Sequence, residues 1–289
     1  MRLRSILFVP ADRPERFEKA AGSGADCVIL DLEDSVAPER KAFARDAVVE
    51  WLGASRICTA FVRVNPLDGA FIENDLEKVL PARPDGIVLP KAEGANSVVS
   101  LLAQSQGKDM PPILPIATET PGAIFHLGTY GAVCDKLVGL SWGAEDLPAA
   151  IGATASRDDT GQLTAPYEMV RALTLFGAHA AGVAAIETVY PDIGDKEGLA
   201  RYVARGRRDG FTGMLAIHPA QVQIINEGFS PSASEIAQAQ EIVEAFASQP
   251  GAGALRLNGK MIDRPHLVQA RRILATRFAS TTSRASGAS

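Results

Sequence analysis

The chain has 289 residues, with 29 Lys or Arg against 34 Asp or Glu, which gives a formal net charge of −5 at pH 7. Hydrophobic residues make up 46% and charged residues 22%, so extensive disorder is excluded. The mild acidity argues against a general nucleic-acid-binding protein, which needs a basic face.

The sequence also limits where the protein works. No apolar run reaches the roughly 18–20 residues of a membrane-spanning helix. The first apolar run ends at Pro10 and is too short for a secretory signal, so it is predicted to be a buried strand. The cysteines, Cys27, Cys58 and Cys134, are odd in number and lack CxxC spacing. We therefore expect a reduced, cytoplasmic protein.

Short apolar runs recur along the chain, and their continuous hydrophobicity is typical of strands that are covered on both faces. In chain order they are 3–9, 27–32, 60–64, 86–90, 113–118, 136–143, 184–189 and 213–219. Segments compatible with helices separate most of them; one example is the helical spacing of Met169, Leu173 and Phe176. Eight strand–helix units predict an α/β fold, a (β/α)8 TIM barrel. An open doubly wound sheet is the alternative, but the turn at 10–14 lacks the expected glycines.

The chain continues beyond the eighth unit. A helix is predicted at 234–248, a break at 249–253, and a hairpin at 254–262 turning at Asn258-Gly259, which is a favoured type I′ pair. A last helix is predicted at 265–276. We therefore expect a barrel catalytic domain at 1–230, a C-terminal hairpin-and-helix extension at 231–277 and a disordered tail at 278–289.

Charged and polar side chains follow nearly every predicted strand, on the side of a barrel where active sites lie. They are Asp12, Arg13 and Arg16; Asp31, Glu33 and Asp34; Arg63 and Asn65; Lys91; Glu119; Glu145 and Asp146; Glu187; and His218. Any single one can be a solvated loop charge or a helix cap. A nearly complete ring of them is better explained as an active site.

Glu119 and Asp146 are the predicted metal ligands. They follow neighbouring strands, and two carboxylates completed by water and substrate are typical of Mg²⁺. The four histidines lack zinc spacing. Helix capping does not account for Glu119, because Thr120-Pro121 already forms a cap. For Asp146, a charge at the start of a short helix is the alternative interpretation.

Two basic residues allow different interpretations. Arg63 lies in an apolar strand and needs a carboxylate partner, which can come from the protein or from a substrate. Beside Mg²⁺ it would favour a 2-oxo acid, because a guanidinium binds a carboxylate in bidentate fashion and steadies an oxyanion. Lys91 follows a strand, but a Schiff-base lysine needs apolar surroundings, so that role is disfavoured.

Several segments together resemble a known family. They are ILFVPADRPERFEKA, CVILDLEDSVAPERK, FVRVNP, GIVLPKAE, IATETPGAI, LSWGAEDLPAAIG, LAIHPAQV and NGKMIDRPHLVQARRIL. They are similar to citrate lyase β-subunit-like proteins, which are grouped with malyl-CoA and citramalyl-CoA lyases in the HpcH/HpaI aldolase family. The resemblance covers about residues 3–276 and implies a (β/α)8 barrel with a C-terminal extension.

The resemblance also implies roles for individual residues. Glu119 and Asp146 match the Mg²⁺ ligands, and Arg63 matches the arginine at the oxo acid. Glu33 and Asp34 match acids near the metal, which are expected to hold water molecules. Glu145, which follows the sixth strand beside Asp146, is expected to act with them. The residues that match substrate and CoA contacts are Phe8, Val9, Arg13, Lys19, Ile217 and His218.

Arg16 joins Arg13 and Lys19 in a basic cluster that is expected to attract the CoA phosphates; ordinary helix-surface charge is the alternative. Asp263 matches an acid that relatives donate from a neighbouring subunit, so a homotrimer or hexamer is expected. A helix cap before Pro265 is the alternative role of Asp263, and the two are compatible.

The implied reaction is reversible cleavage of a 3-hydroxyacyl-CoA, such as malyl-CoA or citramalyl-CoA, to an acyl-CoA and a 2-oxo acid. Mg²⁺ is the expected cofactor, and the CoA thioester is the substrate. One alternative is a citrate lyase β subunit acting on a carrier-bound citryl group. The other is a metal-dependent aldolase acting on free hydroxy-oxo acids. Neither a nucleic acid nor a membrane is an expected partner.

Overall fold

The computed structural model describes residues 1–54 and 56–285. Its central feature is a sheet of eight parallel strands, each starting within three residues of a predicted run. The strands are β1 (Ser5–Pro10), β2 (Cys27–Asp31), β3 (Thr59–Arg63), β4 (Gly86–Leu89), β5 (Ile113–Pro115), β6 (Gly139–Ser141), β7 (Ala184–Glu187) and β8 (Gly213–Ala216).

The sheet closes into a barrel. Neighbouring strands follow the order β5-β4-β3-β2-β1-β8-β7-β6, and parallel bridges Ile113–Leu137 and Ile116–Ser141 join the two end strands. The predicted (β/α)8 barrel is thereby confirmed. All eight strands run in the same direction, so their carboxyl ends meet on one face.

Helices alternate with the strands and cover the outside of the barrel. They are α1 (Phe17–Ala21), α2 (Lys41–Gly53), α3 (Ile72–Val79), α4 (Ala95–Gln104), α5 (Pro121–Ile124), α6 (Asp146–Ile151), α7 (Ala165–Ala181), α8 (Lys196–Asp209) and α9 (Pro219–Gly228). Short 3-10 helices lie at Pro14–Arg16, Pro38–Arg40, Leu80–Ala82 and Leu127–Lys136. Among the described residues, no helix combines the length and apolarity needed to cross a membrane.

The barrel interior is filled by apolar side chains from every second strand position, among them Ile6, Ile29 and Phe61. Gly86 on β4 makes room for this packing, because a Cβ there would lie 2.6 Å from the ring of Phe61. The interior is therefore a packed core, and any substrate must bind above it, at the strand ends.

Helix α7 shows that periodicity predicted a helix without predicting its buried face. Met169 and Phe176, on the predicted apolar spacing, are exposed. The face that packs inward carries Tyr167, Val170 and Thr174 instead. The spacing identified the helix correctly, because both faces of α7 carry apolar residues at helical intervals.

Residues 228–285, with Met1 and Arg2, form a second compact unit. It contains α10 (Ala233–Ser248), an antiparallel hairpin of β9 (Ala254–Leu257) and β10 (Lys260–Asp263), and α11 (Arg264–Ala285). Positive φ angles at Asn258 and Gly259 fit the predicted turn. Helix α11 runs past the predicted end at residue 276, since residues 277–285 contain neither glycine nor proline. Residues 286–289 of the predicted tail lie outside the described residues.

Candidate active site

A cavity of about 430 Å³ lies at the carboxyl ends of the barrel strands. Its lining includes Phe8, Pro10, Asp31, Asp34, Ser35, Arg63, Ile116, Glu119, Trp142, Gly143, Ala144, Glu145, Asp146, Thr188, Val189, Leu215 and Ile217. The predicted metal ligands and the predicted substrate arginine therefore share one cavity. Its size is that of a small-molecule site.

Glu119 is a buried carboxylate at the end of the β5 segment. Its Oε2 accepts a hydrogen bond of 2.5 Å from the backbone amide of Lys91. Thr120 caps α5 in its place, by accepting from the amide of Ala123. A Cβ on Gly143 would lie 2.8 Å from the Glu119 Cγ, so only glycine leaves this side chain its present position.

The electrostatic surroundings of Glu119 favour a bound cation. Burial raises its pKa to about 8, and the negative charges of Asp146 and Glu33 act in the same direction, against the lowering effect of the Lys91 amide and Arg63. A carboxylate in this setting must be neutralised by a proton or by a cation.

Asp146, the second predicted metal ligand, is another carboxylate that lines the cavity. It is the first residue of α6, and its charge acts on Glu119. Among the described residues, nowhere do three or more His, Cys, Asp or Glu side chains form a group that could hold a metal. A pair of hard carboxylates with room for water and substrate fits Mg²⁺, which seldom takes all its ligands from protein.

Arg63, at the end of β3, pairs with acids of the protein. Its Nε and Nη2 donate to the Asp31 carboxylate at 2.6 and 2.7 Å, and its Nη1 lies 2.8 Å from Glu33 Oε2. Burial alone would lower the pKa of Arg63, but the hydrogen bond and charge of Asp31 raise it well above the ordinary value. Of the two partners left open by the sequence, the protein acid is the one present, although Arg63 also lines the cavity.

Two of the three acids expected around the metal face the cavity. Asp34 and Glu145 line it and are exposed. Glu33 is buried, and its Oε1 accepts from the Lys91 ammonium at 2.6 Å. Lys91 in turn has a raised pKa, because the bond to Glu33 outweighs the lowering effect of burial. A lysine held charged in this way is a poor Schiff-base nucleophile.

The predicted substrate contacts divide into two groups. Phe8 and Ile217 line the cavity, and the Phe8 ring centroid lies 4.9 Å from the Arg63 guanidinium carbon. Val9 does not: the strand alternation turns its side chain to the other face of β1, where it is 4% exposed. Val9 is therefore not part of the cavity lining, and the match of its segment to a CoA-contacting segment stays a prediction. His218 is exposed, is not among the cavity-lining residues, and its Nδ1 accepts from the amide of Ala220.

The basic cluster, defined as Arg13, Arg16 and Lys19, lies outside the cavity lining. All three residues are exposed: Arg13 precedes the 3-10 helix that follows β1, Arg16 ends it, and Lys19 lies on α1. Among the described contacts, Arg13 has only a distant carboxylate neighbour, with its Nε 3.9 Å from Asp12. The cluster is therefore open to an anionic ligand from solvent.

Asp263 lies in the second unit, at the end of β10. Its Oδ1 is 2.5 Å from the Nδ1 of His266, and this hydrogen bond lowers the pKa of Asp263. The amide of His266 also approaches the same carboxylate oxygen at 3.5 Å. Asp263 thus sits in the capping position anticipated as its alternative role.

Asp31 and Trp142 line the cavity, although the sequence predicted no specific role for either. Asp31 is directly opposite Arg63 in the β2–β3 register, so strand pairing could have identified it as the arginine's partner. Trp142 is fully buried, and its Nε1 donates to Glu187 Oε1 at 2.6 Å. Glu187 also accepts from Arg171 at 2.7 Å, which fixes this wall of the cavity. For Trp142, no sequence pattern comparable to the strand pairing of Asp31 indicated a place in the cavity.

Comparison with known proteins places the site in context. The sequence profile of the HpcH/HpaI aldolase/citrate lyase family matches residues 4–219. The citramalyl-CoA lyase of Rattus norvegicus mitochondria is 34% identical over 297 residues, covering 94% of this chain and 85% of the relative. A (3S)-malyl-CoA thioesterase of Cereibacter sphaeroides is 34% identical over 289 residues, with 98% and 97% coverage.

Solved structures agree with the sequence comparison. Protein CitE of Mycobacterium tuberculosis, crystallised with magnesium, acetoacetate and coenzyme A, superimposes with a TM-score of 0.82. The two chains are 34% identical, and the match covers 95% of this chain and 97% of the other.

Proposed function

The chain belongs to the HpcH/HpaI aldolase/citrate lyase family, and we propose that it is a Mg²⁺-dependent acyl-CoA lyase. The reaction is the reversible carbon–carbon cleavage of a 3-hydroxyacyl-CoA, such as malyl-CoA or citramalyl-CoA, to an acyl-CoA and a 2-oxo acid. The observation that carries the proposal is the meeting of Glu119, Asp146 and Arg63 in one cavity at the barrel's catalytic end.

Glu119 and Asp146 are the residues that would hold the cation. When bound, Mg²⁺ would supply Lewis-acid stabilisation of negative charge on the substrate oxygens. The support is the chemistry of the pair: two oxygen donors, one of them buried with a pKa of about 8. The crystal form of CitE that contains magnesium and acetoacetate supports the same cofactor and ligand class.

Arg63 would stabilise the oxygen at which charge develops. A guanidinium has five N–H groups, and two hydrogen bonds to Asp31 and one contact to Glu33 leave two available. In cleavage, the substrate hydroxyl gives its proton to solvent, and the alkoxide becomes the carbonyl of the 2-oxo acid as the carbon–carbon bond breaks. The electron pair of that bond forms the thioester enolate, which then takes up a proton at carbon. Arg63 lowers the cost of the alkoxide that precedes bond breaking.

The cavity walls suit a short, branched or unbranched hydroxy acid. Phe8, Trp142 and Ile116 provide apolar surface, while the charged groups cluster around Glu119 and Arg63. This division supports a binding mode with the carboxylate end of a substrate beside the cations and its carbon chain against the aromatic rings. The acyl-CoA portion would extend from the cavity to solvent.

The substrate assignment is tested by assaying the purified chain with Mg²⁺ and malyl-, citramalyl-, 3-hydroxy-3-methylglutaryl- and citryl-CoA. We expect at least one ester to yield an acyl-CoA and an oxo acid, identified by mass spectrometry. Release of free CoA with an intact hydroxy acid would instead assign a thioesterase. Cleavage of a free 4-hydroxy-2-oxo acid, with no CoA ester turned over, would assign the metal-dependent aldolase. Turnover only with added carrier and partner subunits would assign a citrate lyase subunit.

Charge reversal of the basic cluster is expected to weaken CoA recognition. In the variant Arg13→Glu/Arg16→Glu/Lys19→Glu, we expect KM for the acyl-CoA to rise about tenfold or more, because repulsion replaces attraction of the phosphates. The kcat should stay within about twofold, since the three residues lie outside the cavity lining. The matched control is Lys78→Glu/Lys136→Glu/Arg208→Glu, with the same charge change at exposed positions. An unchanged KM in the first variant would remove the cluster from the CoA site.

We further propose that the protein is a homotrimer or hexamer in which Asp263 serves the active site of a neighbouring subunit. There it would carry the proton that reaches the enolate carbon. Its position at the end of β10, with 42% of the side chain exposed, supports this role. The three cysteines are free, which supports a reducing, cytoplasmic location.

Subunit mixing tests the placement of Asp263. Asp263→Asn and Glu119→Gln are each expected to lower kcat by at least about 10²-fold, since each removes one part of the chemistry. Co-expressed in equal amounts, they should regain about a quarter of wild-type activity, because random assembly around a ring creates sites with both acids intact. Co-expression without any recovery would place Asp263 in the site of its own chain or outside the site altogether.

A further inference from the structure

Lys91 contacts two acids of the site, Glu119 and Glu33. It follows β4, and its backbone amide donates to Glu119 Oε2 at 2.5 Å. Its side chain reaches in the other direction, with Nζ 2.6 Å from Glu33 Oε1. One residue therefore orients a predicted metal ligand with its main chain and binds a buried acid with its side chain.

The backbone of Lys91 is in the left-handed region, with φ of 50°. This conformation is uncommon for a residue with a Cβ, and such residues persist where the surroundings fix them, often at functional sites. Here both ends of the residue are fixed by carboxylates. The conformation allows the amide and the ammonium to serve different acids at once.

Glu33 is shared between two cations. Its Oε1 binds the Lys91 ammonium, and its Oε2 lies 2.8 Å from the Arg63 Nη1. Glu33 is only 2% exposed, so water cannot compensate its charge. Because Lys91 neutralises part of the Glu33 charge, Glu33 offsets less of the positive charge of Arg63.

We propose that Lys91 is a positioning residue of the lyase reaction, which keeps the Arg63 guanidinium available to the oxo-acid substrate by holding Glu33. Lys91 is not among the residues that line the cavity, so it acts through Glu33 and Arg63. The inference rests on the proposed function, because it assigns Arg63 to a 2-oxo acid. Without the Lys91 ammonium, the full negative charge of Glu33 offsets the charge of Arg63, so Arg63 binds the anionic substrate more weakly.

The effect of Lys91→Met on two ligands separates this role from a structural one. Pyruvate affinity of the Mn²⁺-loaded protein, measured by calorimetry, is expected to fall about tenfold or more, as for a weakened bond to a charged group. Mn²⁺ affinity without pyruvate, measured by electron paramagnetic resonance, should stay equal or increase, because the site has lost one positive charge. Lys78→Met, which removes an exposed ammonium paired with Asp46, is the control and should change neither.

Second substitutions make the test independent of how well Lys91→Met folds. Lys91→Arg should restore pyruvate affinity to within about threefold of wild type, since a guanidinium also reaches a carboxylate. Adding Glu33→Gln to Lys91→Met should also restore it, because the unbalanced charge is then absent. A further loss in this double variant would contradict the proposal.

The remaining outcomes are equally decisive. Parallel loss of Mn²⁺ and pyruvate binding in Lys91→Met would show a purely structural role. Unchanged pyruvate affinity in that variant would also overturn the proposal. If the wild-type protein loaded with Mn²⁺ binds no pyruvate and turns over no CoA ester, the proposed function itself fails, and that result does not depend on any Lys91 variant.

Discussion

Replacement of Glu119 by Gln is expected to lower Mg²⁺-dependent kcat/KM by at least about 10²-fold, because it removes a charged ligand while keeping the side-chain volume. The free energy of unfolding of the metal-free protein should stay equal or rise in this variant. Glu119 is 4% exposed and sits near the charges of Asp146 and Glu33, so a neutral amide costs less to bury. Loss of activity with equal or greater stability identifies a functional residue that the fold does not need.

The pH dependence of metal-free stability gives this prediction a second measurement. The pKa of Glu119 is raised from the ordinary 4.5 to about 8, so between these values the folded state holds a proton that the unfolded state has lost. The free energy of unfolding must therefore fall as pH rises through that window, by an amount on the order of a few kcal/mol. Urea unfolding from pH 5 to 8 should show a shallower fall in Glu119→Gln than in wild type.

In the wild type, cation binding should reverse the fall in the free energy of unfolding at high pH. At pH 8 the Glu119 carboxylate is available, so saturating Mg²⁺ should raise the free energy of unfolding in wild type and not in Glu119→Gln. The control is Glu50→Gln, which removes a carboxylate from the exposed face of α2. If Glu119→Gln responds to Mg²⁺ as the wild type does, Glu119 is not a metal ligand.

Replacement of Arg63 by Met is expected to be costly both for stability and for activity. It leaves Asp31, 1% exposed, without the partner that lowers its pKa against the raising effect of burial. Removing one member of a buried pair costs roughly 3–5 kcal/mol of unfolding free energy. Loss of the oxyanion donor should lower kcat by about 10²–10³-fold. Urea unfolding and steady-state kinetics measure the two effects separately.

The double variant Arg63→Met/Asp31→Asn separates the effect on stability from the effect on activity. Neutralising Asp31 removes the unpaired buried charge, so most of the lost stability should return while activity stays low. Arg63→Lys should also have low activity, because an ammonium cannot bind Asp31 in bidentate fashion and also face the cavity. Recovery of activity together with stability in the double variant would mean that Arg63 supports only the fold.

The sequence contained enough information to predict the barrel and its catalytic face. Eight continuously apolar runs indicate strands covered on both sides, and parallel strands end on one face. Glu119 and Asp146 follow such runs and Arg63 lies near the end of one, so the three were expected in one region, and all three line one cavity. This expectation depended on residue type and order, which a single sequence provides.

Side-chain direction and partner choice were harder to predict. Phe8 and Val9 lie in one motif, yet neighbouring strand residues face opposite sides, so only Phe8 of the two lines the cavity. The choice of Asp31 as the partner of Arg63 depends on the register between β2 and β3, which the apolar runs alone do not specify. The left-handed backbone of Lys91 depends on contacts with Glu119 and Glu33, residues distant in sequence.

The central claim is that Glu119 and Asp146 bind one divalent cation beside Arg63. Its most direct test is a Mn²⁺ titration, followed by electron paramagnetic resonance, of the wild type, Glu119→Gln, Asp146→Asn and the exposed-site control Asp46→Asn. We expect one ion per chain in the wild type and the control, and affinity at least about 10²-fold weaker in both cavity variants. Wild-type Mn²⁺ binding in both Glu119→Gln and Asp146→Asn would contradict the claim.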